Sequence, residues 1–251
     1  GEMLGAFAYV ERQSRFALHD CQTTATRSGD GYVLNGEKVV VFNGEQADHL
    51  VVLARTAGAQ SDRDGLSLFV IDAAAAGVDK MSYPMMDGQR VANITFTDVM
   101  VSVDALLGEE GAALPVVDAV VDAAIIALAS EAVGIMATLN AKTLEYTKTR
   151  EQFGQPIGKF QVLQHRMVDM FMEHEQAKSL MFMAAMRMSE GYGPEAQKAV
   201  SAFKVQVGKS GRFVGQSAVQ LHGGMGMTDE LAVGHYFKRL TTIDTLFGNA
   251  D

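Results

Sequence analysis

The chain has 251 residues, 48% of them hydrophobic and 20% charged, with a formal net charge of −9. That is length enough for one large or two modest domains with buried cores, and the composition reads as globular. The negative balance excludes the basic footprint of a general nucleic-acid binder and the polybasic anchor of a protein held on an anionic membrane.

Residues 1–110 read as β structure. Short apolar runs at Tyr32–Leu34, Val39–Phe42, His49–Ala54, Leu66–Ile71, Asn93–Phe96 and Val99–Val101 are separated by turn formers such as Ser28-Gly29-Asp30-Gly31, Asn43-Gly44 and Arg63-Asp64-Gly65. Asn35-Gly36 between two β-prone runs predicts a hairpin turn. Many short strands with frequent turns predict a small antiparallel barrel or sandwich.

Residues 111–251 read as helical. Apolar residues recur at three- and four-residue steps over Ala112–Thr149, Gln161–Glu190, Pro194–Leu221 and Asp229–Thr245. Gly154 and Pro156, then Gly191-Tyr192-Gly193-Pro194, then Gly223-Gly224 break the pattern between them. Four helices with short connections predict an antiparallel bundle, so the fold class is α+β. The methionines crowded into Met167–Met188 are expected to fill core. No apolar run looks long enough to span a bilayer, because Asp118 and Asp122 interrupt Val116–Leu128.

Cys21 is the single cysteine, so neither an intrachain disulfide nor a cysteine-clustered metal site is available; the six histidines show no HExxH pairing, and no metal site is expected. A reducing, cytoplasmic setting is the expectation. The chain opens on Gly1 without a basic signal-peptide region, and a native N-terminus beyond it is expected.

Two motifs carry candidate chemistry. The first is Arg150-Glu151-Gln152-Phe153-Gly154-Gln155-Pro156-Ile157, continued by Gln161 and Gln164. Arg150 offers a permanent charge and a planar donor fork suited to a pyrophosphate, and Phe153 a ring to cover a flat or ribityl surface. The second is Gln220-Leu221-His222-Gly223-Gly224-Met225-Gly226. Its glycines free backbone N–H groups and permit close approach of a ligand, and Gln220 can read an adenine edge or a phosphate neighbour. Taken singly, the motifs read more readily as an interhelical turn and a glycine-terminated helix than as a binding site.

Together, in this order and on this pattern of helices, they resemble the flavin-contacting elements of acyl-CoA dehydrogenases. Gly31-Tyr32-Val33-Leu34-Asn35-Gly36-Glu37-Lys38 and Phe96-Thr97-Asp98-Val99-Met100-Val101 resemble strands of that family's middle domain, and Leu106-Leu107-Gly108 the exit from it. The resemblance implies a middle β domain over 1–110 and a C-terminal helical domain over 111–251, with the family's N-terminal helical domain and extreme C-terminus lying outside this chain. It implies a flavoprotein oxidoreductase that uses FAD to dehydrogenate the Cα–Cβ bond of an acyl-CoA in β-oxidation or in fatty-acid or steroid side-chain degradation. It further implies a homologous subunit in a hetero- or homo-tetramer, electron-transfer flavoprotein as acceptor, and Arg150, Gln152, Phe153, Gln161, Gln220, Gly223 and Gly224 as cofactor contacts.

The resemblance also has gaps. The family's catalytic Glu aligns with Phe247, and its alternative position with Ala124; neither residue abstracts a proton. The loop that holds the subunit's own flavin becomes Val10–Ala17, and the stretch that backs the isoalloxazine becomes Val40-Val41-Phe42. In the family, the Arg150- and Gln220-type motifs reach a neighbouring subunit's FAD, whereas the elements missing here serve the subunit's own site. This pattern resembles the small subunit of pimeloyl-CoA-type heteromeric dehydrogenases, a base-lacking clamp on a partner's FAD. The remaining readings are a self-sufficient homomeric dehydrogenase with an unrecognised base, for which Glu131 is a candidate and Asp244 a helix-surface residue near the expected place, and a scaffold protein that binds no flavin.

Overall fold

The computed structural model describes residues 1–249. The chain divides into two compact units, Gly1–Val120 and Val121 onward.

The first unit is a sheet of eight strands: β1 (Gly5–Ala8), β2 (Thr24–Ser28), β3 (Gly31–Phe42), β4 (His49–Arg55), β5 (Leu66–Asp72), β6 (Val78–Pro84), β7 (Arg90–Ser102) and β8 (Leu106–Leu107). Its order is β6-β7-β3-β2-β4-β5-β8, with β1 also paired to β4. The predicted wholly antiparallel barrel or sandwich gives way to a mixed sheet. β1 runs parallel to β4 over Gly5–Ala8, and β2 meets β4 in parallel at Thr24 and Arg55. Tyr32, Leu34, Leu50, Phe69, Ile94 and Phe96 are buried on one another and form the core of this unit.

The Asn35-Gly36 hairpin does not form. β3 runs straight through both residues, and the register against β7 shifts between Leu34 and Gly36. Gly36 is needed for a different reason: at φ +147°, a Cβ there would lie 2.6 Å from Thr23 Cα. The reversal between β2 and β3 is made instead by Gly29-Asp30, flanked by the Ser28–Gly31 pair.

The helices are α1 (Leu114–Thr149), α2 (Gln161–Glu190), α3 (Pro194–His222) and α4 (Ala232–Thr245), with a two-stranded hairpin, β9 (Glu151–Gln152) and β10 (Gln155–Pro156), between α1 and α2. Neighbours run in opposite directions. Asn140 on α1 donates to the Met170 carbonyl on α2 at 3.4 Å, and Ser210 on α3 donates to Glu173 on α2 at 2.6 Å. Arg212 on α3 pairs with Asp244 near the end of α4 at 2.8 Å, while Gly215 further along α3 faces Phe237 nearer the start of α4.

By length and composition alone α1 would cross a bilayer, contrary to the reading that Asp118 and Asp122 interrupt it too soon. Its buried Ile125, Ala129, Ala132, Met136 and Leu139 recur at the helical repeat of a packed helix, and Asp122 accepts from the Tyr192 hydroxyl at 2.9 Å. On α2 the methionines are not all core. Met170 is buried, but Met172 and Met186 are exposed beside Val168, Phe171 and Phe182.

Candidate functional site

α1 ends where its 3.6-residue pattern ends. The Arg150 N–H still bonds back to the Tyr146 carbonyl at 2.8 Å, and the chain then turns through β9 and β10. Phe153 and Gly154 occupy the tip, both left-handed at φ +55° and +76°. Two consecutive positive φ values make the tight turn that matches strand twist. The Ile157 N–H closes the hairpin on the Arg150 carbonyl at 2.8 Å. Arg150 is exposed, and among the described residues its guanidinium has no acidic partner.

α3 stops at Gly223, whose φ of +60° and ψ of −142° carry the chain out of the helix and whose N–H caps the Gln220 carbonyl. A Cβ added at Gly223 or Gly224 would meet nothing within 4 Å. Gly226 behaves differently: a Cβ there would stand 2.6 Å from the Val219 carbonyl, so that glycine serves packing.

The two motifs converge. Arg150, Gln152, Gln220, Gly223 and Gly224 line one cleft of about 460 Å³, with Tyr146, Ile157, Leu221, His222 and Met225 completing its wall. Phe153 and Gln161 are not among its lining residues. Phe153 is 92% exposed at the hairpin tip, with Phe160 edge-on at 6.1 Å, and Gln161 opens α2 on the surface.

Tyr146 and His222 stack with ring centroids 4.4 Å apart. His222 is buried and donates from Nδ1 to the Ala218 carbonyl at 2.8 Å, which fixes the ring. Sequence reasoning passed over both residues. The available signal was position, since Tyr146 lies one helical turn before Arg150 and His222 sits inside the glycine motif.

The cleft suits a dinucleotide. It offers an unpaired guanidinium, two amide side chains and a glycine pair that leaves room for a backbone approach, beside apolar and aromatic wall residues.

The two positions where the resemblance expects a base hold Phe247 and Ala124. Phe247 is half-buried with φ +58°, and Ala124 lies half-buried on α1. Glu131 is held by both oxygens to Arg239, at 2.6 Å to Nε and 2.7 Å to Nη2. That is the geometry of a structural ion pair. Asp244 is not a helix-surface residue; it is buried and paired with Arg212.

In the first unit, Glu11 of the Val10–Ala17 loop is turned inward. It accepts from Lys38 Nζ at 2.7 Å and from the N–H groups of Gln22 and Thr23 at 2.6 and 2.9 Å. Burial alone would raise its pKa, but the Lys38 charge and hydrogen bonds from Lys38, Gln13 and Thr23 hold it down to about 2. Cys21, beside this pair, is pushed up to about 11 by burial and is not a reactive thiol. Val40, in the stretch expected to back a flavin, is left-handed at φ +53° where β3 bulges against β7.

Residues 6–99 match the acyl-CoA dehydrogenase middle domain, and residues 115–251 match the acyl-CoA dehydrogenase C-terminal domain. The chain belongs to the acyl-CoA dehydrogenase family. It is 33% identical over 245 residues to a short-chain specific acyl-CoA dehydrogenase of Megasphaera elsdenii, covering 95% of this chain and 62% of that protein. Among solved structures it superposes on an electron transferring flavoprotein of Acidaminococcus fermentans, studied for flavin-based electron bifurcation, with TM-score 0.92 and 33% identity, over 100% of this chain and 66% of that one. It also superposes on PigA, solved with FAD and proline, with TM-score 0.93 and 27% identity, over 100% of this chain and 65% of that one. The chain thus spans less than two thirds of the length of each of these acyl-CoA dehydrogenase relatives and structural neighbours.

Proposed function

We propose that this chain takes part in flavin-dependent α,β-dehydrogenation of an acyl-CoA as the subunit that clamps a homologous partner's FAD and supplies no base itself. The observation that carries the reading is the convergence of Arg150, Gln152, Gln220, Gly223 and Gly224 on one cleft in a chain with Phe247 and Ala124 at both base positions.

In this reading Arg150 neutralises the pyrophosphate, and Gln152 and Gln220 donate to phosphate or adenine edges. Gly223 and Gly224 let the backbone approach. Phe153, at the hairpin tip, and Gln161, at the start of α2, reach the cofactor from outside the cleft. Bound FAD would supply the hydride acceptor, while the partner's carboxylate takes the α proton. PigA's FAD and the short-chain acyl-CoA dehydrogenase of Megasphaera elsdenii support the cofactor and the substrate class. The exposed Val168, Phe171, Met172, Phe182 and Met186 on α2 support a subunit contact, since a monomer rarely leaves so much apolar surface on one helix. The Acidaminococcus fermentans neighbour supports an electron-transferring flavoprotein as the acceptor, and the acidic chain with one buried cysteine supports a cytoplasmic setting.

Visible spectra of the purified full-length protein test this. Flavin absorbance only when a base-bearing homologue is co-expressed is the predicted result. Flavin and turnover in the lone protein would favour a homomeric enzyme, and no flavin under either condition would leave a scaffold.

A further inference from the structure

Lys204 lies in the middle of α3 and is 4% exposed. Its ammonium donates to the Asp244 carbonyl at 2.9 Å and to the Gly248 carbonyl. Asp244 belongs to the last turn of α4, where carbonyls have no partner within the helix, and a cation there satisfies them and meets the negative end of the dipole.

The segment between these two carbonyls is strained. Phe247 is left-handed at φ +58°, a conformation a bulky side chain seldom adopts, and Gly248 follows at φ +125°. Such a residue persists only where its surroundings over-determine it. On one side the Leu246 N–H bonds to the Ile243 carbonyl at 3.3 Å; on the other Lys204 holds the carbonyl immediately after Phe247.

Lys204 is a costly way to fill this space. Burial strips the ammonium of water and holds its pKa down to about 8, although the Asp244 charge opposes the shift. The Asp244 carboxylate itself turns to Arg212. Glu173, the acid bonded to α3 from α2, turns to Ser210 and Gln206. A methionine would fill the core at lower cost, so the amine is best explained by the two carbonyls it binds.

We infer that Lys204 is the positioning residue of the Leu246–Gly248 corner, fixing the direction of the side chain at position 247, where the family's base is expected. The importance given to position 247 rests on the proposed function; the geometry of the corner does not.

The test needs no flavin. This sequence has no tryptophan, so Phe247→Trp places a single reporter at the corner. Its emission and acrylamide quenching are compared with and without Lys204→Met, and amide exchange is followed in Lys204→Met alone. The melting temperature is expected to hold or rise, because a desolvated charge is removed. Exchange at Leu246–Gly248 is expected to speed up about tenfold or more, with α1–α3 unchanged, and the tryptophan to shift to the red and quench more readily. Unchanged exchange and emission would overturn the inference. Should Lys204→Met fail to fold, Lys204→Gln, which is too short to reach both carbonyls, takes its place. Loss of the whole fold in both variants would make Lys204 a core residue and overturn the inference equally. Failure here leaves the FAD reading standing, and loss of the FAD reading leaves the corner standing.

Discussion

Tyr146 stacks on His222 at 4.4 Å and donates its hydroxyl to the His222 carbonyl at 3.4 Å, tying the end of α1 to the end of α3. Arg150 lies one turn beyond the first residue, and Gly223 directly follows the second. The stack therefore sets how far the guanidinium stands from the glycine pair.

Tyr146→Ala removes an aromatic pair worth about 0.5–1.5 kcal/mol beyond its burial. Thermal stability and flavin affinity should both fall. Tyr146→Phe keeps the stack and should stay near the parent in both. Thermal melts and flavin titration of the complex check this, and equal affinities for all three proteins would detach the stack from the site.

Phe153 combines left-handed backbone with nearly full exposure, two costs set against one edge-on contact with Phe160. Phe153→Asn should stabilise the chain by about 1 kcal/mol, because Asn tolerates this backbone, while weakening flavin retention in the complex. Chemical denaturation and flavin release read the two effects separately. A variant stabilised without loss of flavin would remove Phe153 from the cofactor contacts.

The helices were legible in the sequence to within a few residues. Alanine-rich apolar periodicity between glycine and proline breaks marks Gln161–Glu190 at both ends, and Pro194 opens α3. The strands were less so. Asn35-Gly36 has the composition of a turn, but Gly36 is demanded by Thr23, just ahead of β2, a tertiary reason invisible locally. Strand alternation carries no direction, so the parallel β1–β4 pair could not be foreseen. The cleft was half legible. The two motifs announced Arg150, Gln152, Gln220 and the glycines, whereas the Tyr146–His222 wall joins residues that only the helix packing brings together.

The Glu11–Lys38 pair gives the β unit a pH dependence. Glu11 titrates near 2 in the fold against an ordinary 4.5, so the unfolded chain binds its proton more readily. Its contribution is present above about pH 4.5 and is lost as pH falls toward 2. Acid unfolding followed by circular dichroism should show this slope. Lys38→Met should cost about 3–5 kcal/mol at neutral pH by leaving a buried carboxylate uncompensated. A stable Lys38→Met variant would refute the pairing.

Glu131→Gln separates an ion pair from a base. The pair is partly exposed, so its loss should cost only about 0.5–1 kcal/mol, and turnover of the complex should stay unchanged. A drop in turnover of about a hundredfold or more, with the fold intact, would make Glu131 the base after all.

The clamp itself is tested most directly by flavin retention in the co-purified complex carrying Arg150→Ala. A charge-assisted contact to pyrophosphate is worth about 1.5–3 kcal/mol, so the flavin dissociation constant should rise about tenfold or more while the complex stays assembled. The same dissociation constant in parent and variant would contradict the account.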